Sequence, residues 1–247
     1  MDVTFLGTGA PWAQGRQTMG LYVTAPGCEP LLIDTCGGFA VVEQLRRAGA
    51  DPRGVRNVFI THRHHDHAGG VPALLLGGLP LQLHGTPHTL AAIRDLMKSG
   101  FPEWTDPAGT AYIEVPARGM CEIGGLAVET VPVEHRVETV GIRVRAGGRT
   151  LAFGADSLPC EGLDTCAGDA DMFICDAIWQ EDGAERAHQL MHATAAEAGR
   201  AATAGGAGQL LLVHLGARAE PAAMLAEAQA AFRGPVRIPD DLDRVAM

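Results

Sequence analysis

The sequence predicts an α/β fold of two β-sheets with helices on the outside. Three observations carry this expectation. Short apolar runs bounded by Gly- and Pro-containing turns come in two blocks, each followed by segments with helical spacing. The chain has 247 residues, 47% hydrophobic and 19% charged, which suits one large buried core and is too apolar for disorder. Several polar residues that can ligate a metal stand directly after apolar runs, where strand ends would present them.

In the first block, Val3–Leu6, Leu21–Thr24 and Leu31–Ile33 read as strands, separated by turns at Gly7-Thr8-Gly9 and Pro26-Gly27. Phe39–Leu45 has helical spacing and meets Arg46, Arg47 and Gly49, a common helix end. Val58–Ile60 is a strand running into a histidine cluster. Val71–Leu76 reads as a short helix and Leu81–Leu83 as a strand. Pro87–Met97 is amphipathic, with Leu90, Ile93, Leu96 and Met97 on one stripe. Gly100–Gly109 is a loop. The second block holds Ala111–Val115, Leu126–Val133, Val140–Val144, Thr150–Phe153, Met172–Cys175 and Leu210–Val213 as strands. Thr194–Thr203 and Pro221–Phe232 read as helices, and Glu181–Met191 as a loop. No repeat or low-complexity linker divides the chain, so one domain over residues 1–247 is expected.

Nineteen Lys and Arg against 29 Asp and Glu give a net charge of −10, which argues against nucleic acid as a partner and for a small-molecule substrate. No apolar run reaches the ~18 residues of a membrane span, so no membrane partner is expected. The six cysteines form no C-x-x-C pair, and Met1-Asp2-Val3-Thr4-Phe5 lacks a basic leader. Both features predict a cytoplasmic protein with reduced thiols.

The strongest signal is His62-Arg63-His64-His65-Asp66-His67. Residues two apart on extended chain project to one side, so His62 and His64 can grip one ion. Asp66 and His67, where the chain turns into a helix, can face a second ion. Imidazole and carboxylate together suit zinc, and also manganese or iron. His135, Asp156 and His214 each follow an apolar strand and can complete a two-ion site. Singly each fits a structural role; their value lies in the combination. His65 reads as exposed or as support behind the ligands, His84 and His88 read as structural, and His188 has no assigned role. Gly7-Thr8-Gly9 lacks a dinucleotide fingerprint and reads as a close backbone approach at the site.

These residues, in this order, resemble the metallo-β-lactamase superfamily. The match runs Asp34, then His62, His64, Asp66 and His67, then His135, Asp156 and His214. The resemblance implies an αββα four-layer sandwich with two divalent metal ions at one edge, zinc first and manganese as the other candidate. It implies that one ion takes His62, His64 and His135. The other takes Asp66, His67 and His214, with Asp156 between them and Asp34 orienting the cluster from behind. The ends of the chain resemble the ribonuclease Z-like branch: Phe5-Leu6-Gly7-Thr8-Gly9-Ala10-Pro11 with Arg16, Met191-His192-Ala193-Thr194, and His214-Leu215-Gly216-Ala217-Arg218. Only a hairpin separates His135 from Asp156, where ribonuclease Z carries a long basic arm, and its His-Glu-Ala-Thr element is reduced to Cys175-Asp176-Ala177-Ile178. These departures look more like the small phosphodiesterases of the branch than a tRNA 3′-processing enzyme. A homodimer is also implied by the resemblance.

The expected activity is that of a dinuclear-metal phosphodiesterase on a small cyclic or linear nucleotide, with hydroxide held between the ions attacking phosphorus. The alternative is hydrolysis of a lactone, lactam or thioester with the same ions. In the first case Asp66 takes the proton of the attacking water, and His192 protonates the leaving oxygen or holds the phosphate. Arg218 pairs with a phosphate oxygen, and Trp104 walls the substrate pocket. Trp12 and Phe101 are further aromatic candidates for that wall.

Overall fold

In a computed structural model describing residues 1–247, the two blocks form two seven-stranded mixed sheets packed face to face. The first sheet contains β1 (Asp2–Gly7), β2 (Gly20–Thr24), β3 (Leu31–Ile33), β4 (Asn57–Phe59), β5 (Gln82–Gly85) and β6 (Ala111–Glu114), with β14 (Arg244–Ala246) at its edge beside β1. The second contains β7 (Gly119–Ile123), β8 (Leu126–Val133), β9 (Thr139–Ala146), β10 (Arg149–Phe153), β11 (Met172–Asp176), β12 (Leu210–Val213) and β13 (Val236–Arg237) in that spatial order. Strands β3 to β6 run parallel, as do β10 to β13; β7 to β10 form an antiparallel meander.

Three apolar clusters make the four layers. Phe5, Leu21, Ile33 and Phe59 from the first sheet meet Val128, Ile142, Phe153 and Ile174 from the second, all buried between the sheets. The outer face of the first sheet packs under α1 (Ala40–Arg47), α3 (Val71–Leu76) and α4 (Pro87–Gly100), through Leu45, Leu74, Leu90 and Ile93. The outer face of the second packs under α5 (Glu161–Ala167), α7 (Ala195–Gly205) and α8 (Pro221–Ala231), through Leu163, Ala198, Ala202 and Met224. The central strands are buried on both faces, which is why Leu31–Ile33 and Leu210–Val213 are apolar without alternation. The expected αββα sandwich is therefore the fold.

The structure adds elements the sequence pattern did not announce. Glu181–Met191, expected as a loop, holds a 3₁₀ turn (Glu181–Gly183) and α6 (Ala184–Leu190). Only Ala187 of α6 is buried, so the helix has no apolar stripe to betray it. Strands β13 and β14 are two and three residues long, below the length at which a pattern can be read. Helix α7 starts at a capping box: Thr194 Oγ1 accepts from the Glu197 amide, and Glu197 Oε2 accepts from the Thr194 amide at 2.9 Å. That box fixes the chain just after His192.

The two sheets present one shared edge. Strands β3, β4, β8, β10, β11 and β12 all run toward it, and the polar residues noted above follow their ends. The backbone there turns sharply: Asp34, Ala155, Met191 and His214 adopt left-handed conformations, with φ of 56°, 53°, 68° and 60°. Such turns are costly for residues other than Gly and cluster at functional sites. Close backbone approach tightens the same edge. A Cβ on Gly70 would lie 2.1 Å from the Thr35 carbonyl oxygen, so only glycine lets the histidine motif pack against the turn after β3.

Candidate metal centre

His62 and His64 leave β4 on extended chain, and Asp66 and His67 lie on the short helix α2 (His65–Ala68). Their donor atoms meet those of His135, Asp156 and His214 in two groups. The first is His62, His64, His135 and Asp156; the second is Asp66, His67, Asp156 and His214. Asp156 belongs to both, buried between them.

The geometry can be tested against an ion. Four ligands ~2.0–2.1 Å from a tetrahedral centre stand about 3.3 Å from one another. In the first group, His64 Nδ1 is 3.0 Å from His62 Nε2 and 3.1 Å from His135 Nε2. Asp156 Oδ2 is 3.6 Å from His62 Nε2 and 3.8 Å from His135 Nε2. In the second group, Asp66 Oδ2 is 3.5 Å from His67 Nε2 and 3.3 Å from His214 Nε2, and Asp156 Oδ2 is 3.3 Å and 3.6 Å from the same nitrogens. Both sets have the edge lengths of a ligand shell. His67 Nε2 and Asp156 Oδ1 are buried without a hydrogen-bond partner, a state that bound cations relieve.

The far side of each ring explains why the donors point inward. Asp34 Oδ2 accepts from His67 Nδ1 at 2.8 Å, which leaves Nε2 of His67 free to ligate. The Thr61 hydroxyl donates to the same carboxylate at 2.9 Å, and its oxygen faces His62 Nδ1 at 3.1 Å. The Met191 carbonyl accepts from His135 Nδ1 at 2.9 Å. Asp176 Oδ1 stands 3.4 Å from His214 Nδ1.

Electrostatics point the same way. Burial works against the charge of His67 and His214, but Asp156 with Asp34 or Asp176 outweighs it and holds both pKa values up, that of His214 at about 10. Burial also works against Asp66 and Asp156, and their histidine partners nonetheless hold both carboxyls well below the usual range. For His64 the balance goes the other way: burial first, then the charge of His135, outweighs Asp156 and Asp66 and pulls it down to about 4. A dry site with ionised carboxylates asks for positive charge, and the residues fit divalent cations in number, type and spacing.

His192 lies beside this cluster. Asp176 Oδ2 accepts from its Nδ1 at 2.7 Å, and its ring stacks on His214 with centroids 4.9 Å apart at 22°. Asp176 is a residue the sequence reading passed over, taking Cys175-Asp176-Ala177-Ile178 as a reduced motif. The carboxylate is in fact retained and serves two histidines. An Asp closing an apolar strand was the available signal, the same one that marked Asp34 and Asp156. Thr61, Arg136 and the Met191 carbonyl were also unread, since their roles come from tertiary contact alone.

His64, Asp66, His135, Asp156 and His214 face a cavity of about 410 Å³, whose wall includes Pro11, Trp12, Arg136, Ile178, Trp179 and Leu190. Two expected substrate contacts are placed elsewhere. Trp104 does not wall this cavity: its amide donates to the Phe101 carbonyl, and the turn folds back on α4 beside Arg94, Met97 and Tyr112. Arg218 lines the adjoining cleft with Arg186, and Trp179 and Leu190 border both spaces. Arg16 is held away from solvent by Thr8, the Pro239 carbonyl and Asp240, so it clamps the C-terminal segment to the first loop.

Comparison with known proteins agrees with this reading. The β-lactamase superfamily domain matches residues 30–215. The chain is 30% identical to ribonuclease Z of Halorubrum lacusprofundi, over 99% of this chain and 96% of that protein. YhfI of Bacillus subtilis, a metallo-β-lactamase fold protein, superposes with a TM-score of 0.84 at 24% identity, covering 99% of this chain and 98% of its own. The short form of human tRNase Z superposes with a TM-score of 0.78 at 23% identity, covering 100% and 99%. The relatives named ribonuclease Z correct the expectation, drawn from net charge, that argued against nucleic acid as a partner. The physical reason is range: charges are screened over ~8 Å at physiological salt, so nearby Arg136 counts for more at the site than the whole-chain total. No helix is long and apolar enough to cross a membrane. With a domain match over most of its length and the ligand pattern gathered on one edge of the sandwich, the chain belongs to the β-lactamase superfamily, in the ribonuclease Z-like branch of its metal-dependent hydrolases.

Proposed function

We propose that the protein is a phosphodiesterase acting on nucleotide-type phosphodiesters, RNA 3′ ends among them, with His62, His64, His135, Asp66, His67, His214 and Asp156 holding two divalent ions, zinc or manganese. The observation that carries the reading is the Asp176–His192 pair, set against the second ligand group and facing the same cavity. Cleaving a nucleotide diester expels an alkoxide, a poor leaving group that needs a proton. Bound ions supply Lewis acidity and offset the charge that builds on the phosphate oxygens.

The chain's own residues supply the rest. Asp66 remains ionised and partly open to the cavity, so it takes the proton of the attacking water. Asp176 accepts from Nδ1 of His192, so in the imidazolium form the ring can give its Nε2 proton to the departing oxygen and return to the neutral state. Arg136 lines the cavity and offers a fork to a phosphate oxygen. Arg186 and Arg218 in the adjoining cleft suit the next phosphate of a longer substrate.

The test is turnover of bis-p-nitrophenyl phosphate by protein stripped of metal and reloaded with zinc or manganese, followed by a precursor tRNA and cyclic nucleotides. Metal-dependent release that collapses in His64→Ala and Asp156→Ala is the expected result. No release from protein carrying two ions per chain would overturn the proposal and direct the search to lactones and thioesters.

A further inference from the structure

We infer that Trp12 is a stacking platform that selects substrates carrying a planar ring, a nucleobase above all, next to the phosphate. The inference deepens the phosphodiesterase reading and rests on it for the placement of the phosphate. Trp12 lines the metal-site cavity and is nevertheless 91% exposed, the most exposed of the large apolar side chains. An indole left in water gains nothing from the fold, since burying an aromatic side chain is worth a few kcal/mol.

Its backbone is no more favourable. Trp12 sits at φ 68°, a left-handed conformation that a bulky residue adopts only when its surroundings impose it. The surroundings do impose it. The Ala10 amide donates to the Leu215 carbonyl at 2.9 Å, the Ala13 amide donates to the Ala10 carbonyl at 3.1 Å, and Gly9 bridges to both Thr18 and Leu215. Arg16 then ties the loop to the Pro239 carbonyl and Asp240. A rigid turn thus holds an unpacked aromatic face at the mouth of the cavity, anchored on the residue that follows His214.

The cavity has room for what such a face would bind. At about 410 Å³ it accommodates a mononucleotide, with the phosphate at the histidines and the ring at the Pro11–Trp12 rim. Stacking of a base on an aromatic side chain raises affinity by about 10-fold or more and tolerates any base. The ligand class is therefore a nucleoside phosphate, discriminated from a bare sugar phosphate by its ring.

The experiment measures binding of AMP and of ribose 5-phosphate to the metal-loaded protein by calorimetry, in wild type, Trp12→Ala and Trp12→Phe. Wild type is expected to prefer AMP by about 10-fold or more, from the stacking above. Trp12→Ala brings the ratio near one, and Trp12→Phe keeps most of it. An unchanged ratio in Trp12→Ala, or no preference in wild type, overturns the inference. Bis-p-nitrophenyl phosphate turnover by the wild-type protein separates the two claims. Turnover without a Trp12-dependent ratio sinks the platform alone. A Trp12-dependent ratio without turnover keeps the platform and sinks the phosphodiesterase reading.

Discussion

Replacing Asp34 tests whether one buried carboxylate orients a ligand in each set. Asp34 is fully buried; its Oδ1 accepts the Thr61 amide at 2.9 Å, and its Oδ2 accepts the Thr61 hydroxyl at 2.9 Å and His67 Nδ1 at 2.8 Å. Through the Thr61 hydroxyl it also governs His62, 3.1 Å further on. Asp34→Ala strands three buried donors at about 1–3 kcal/mol each, partly relieved by water, so metal-free protein should lose about 4 kcal/mol. Asp34→Asn separates folding from ligation. Asn tolerates the left-handed backbone and keeps one carbonyl for the Thr61 amide, so the loss in stability should be about 1–2 kcal/mol. Its NH₂ group, however, meets His67 Nδ1 and forces the ring proton onto Nε2, the atom that faces Asp66 and Asp156. Metal affinity should fall about 10–100-fold at both positions. Urea unfolding of stripped protein and zinc competition against a chromophoric chelator read the two quantities. Two ions per chain bound by Asp34→Asn at wild-type affinity would refute the argument. Loss at only one position would refute the relay through Thr61.

His192→Ala should lower kcat by about 10²–10⁴-fold on a dinucleotide, whose alkoxide needs a proton, and far less on bis-p-nitrophenyl phosphate, whose leaving group does not; equal losses on both, measured side by side, would remove His192 as the proton donor. His84 is buried with neither ring nitrogen hydrogen-bonded, and burial pulls its pKa down from 6.5 to about 4. The unfolded chain therefore takes up the proton first, and the folded state loses stability as pH falls from about 6.5 toward 4, by roughly 2–3 kcal/mol at the end of that window. His84→Leu should remove this part of the acid limb while leaving stability at pH 7 equal or higher; urea midpoints of the two proteins that fall in parallel between pH 7 and pH 4.5 would contradict it.

Much of the scaffold was readable because burial on both faces leaves a plain mark. Leu31–Ile33 and Leu210–Val213 are wholly apolar between turns, and the helix read over Pro87–Met97 shows its stripe and runs on to Gly100. The ligands were readable for a related reason. Of the candidate ligands, His62, His135, Asp156 and His214 follow apolar strands, and His62, His64, Asp66 and His67 share one motif. What escaped was whatever depends on neighbours remote in sequence. Helix α6 has only one buried residue, so nothing in its own composition separates it from a loop, yet its end supplies the Met191 carbonyl that aims His135. Asp176 was read as the remnant of a lost motif because the comparison was made on letters. In space its two carboxylate oxygens divide between His192 and His214, which is the service a longer acidic residue could equally perform.

Substrate contacts were the hardest to read, and Trp12 and Trp104 show why. Both stand in Pro-containing loops with Gly nearby, and sequence offers no ground for choosing between them. The choice is made by what each loop is tied to. The Phe101–Trp104 turn follows α4 on the outer face of the first sheet, so Trp104 lines a separate groove with Arg94 and Tyr112, which are paired at 4.2 Å. The Trp12 turn is tied to Leu215, one residue past a metal-site histidine on the opposite sheet. A cavity wall assembled from Ala10–Trp12, Ile178–Trp179, Leu190 and Ala217 draws on four segments that touch only after both sheets have packed. Metal ligation constrains residue type at every position and so leaves a motif. A wall that needs only shape and a planar face constrains neither, and its chemistry becomes visible when the fold brings the segments together.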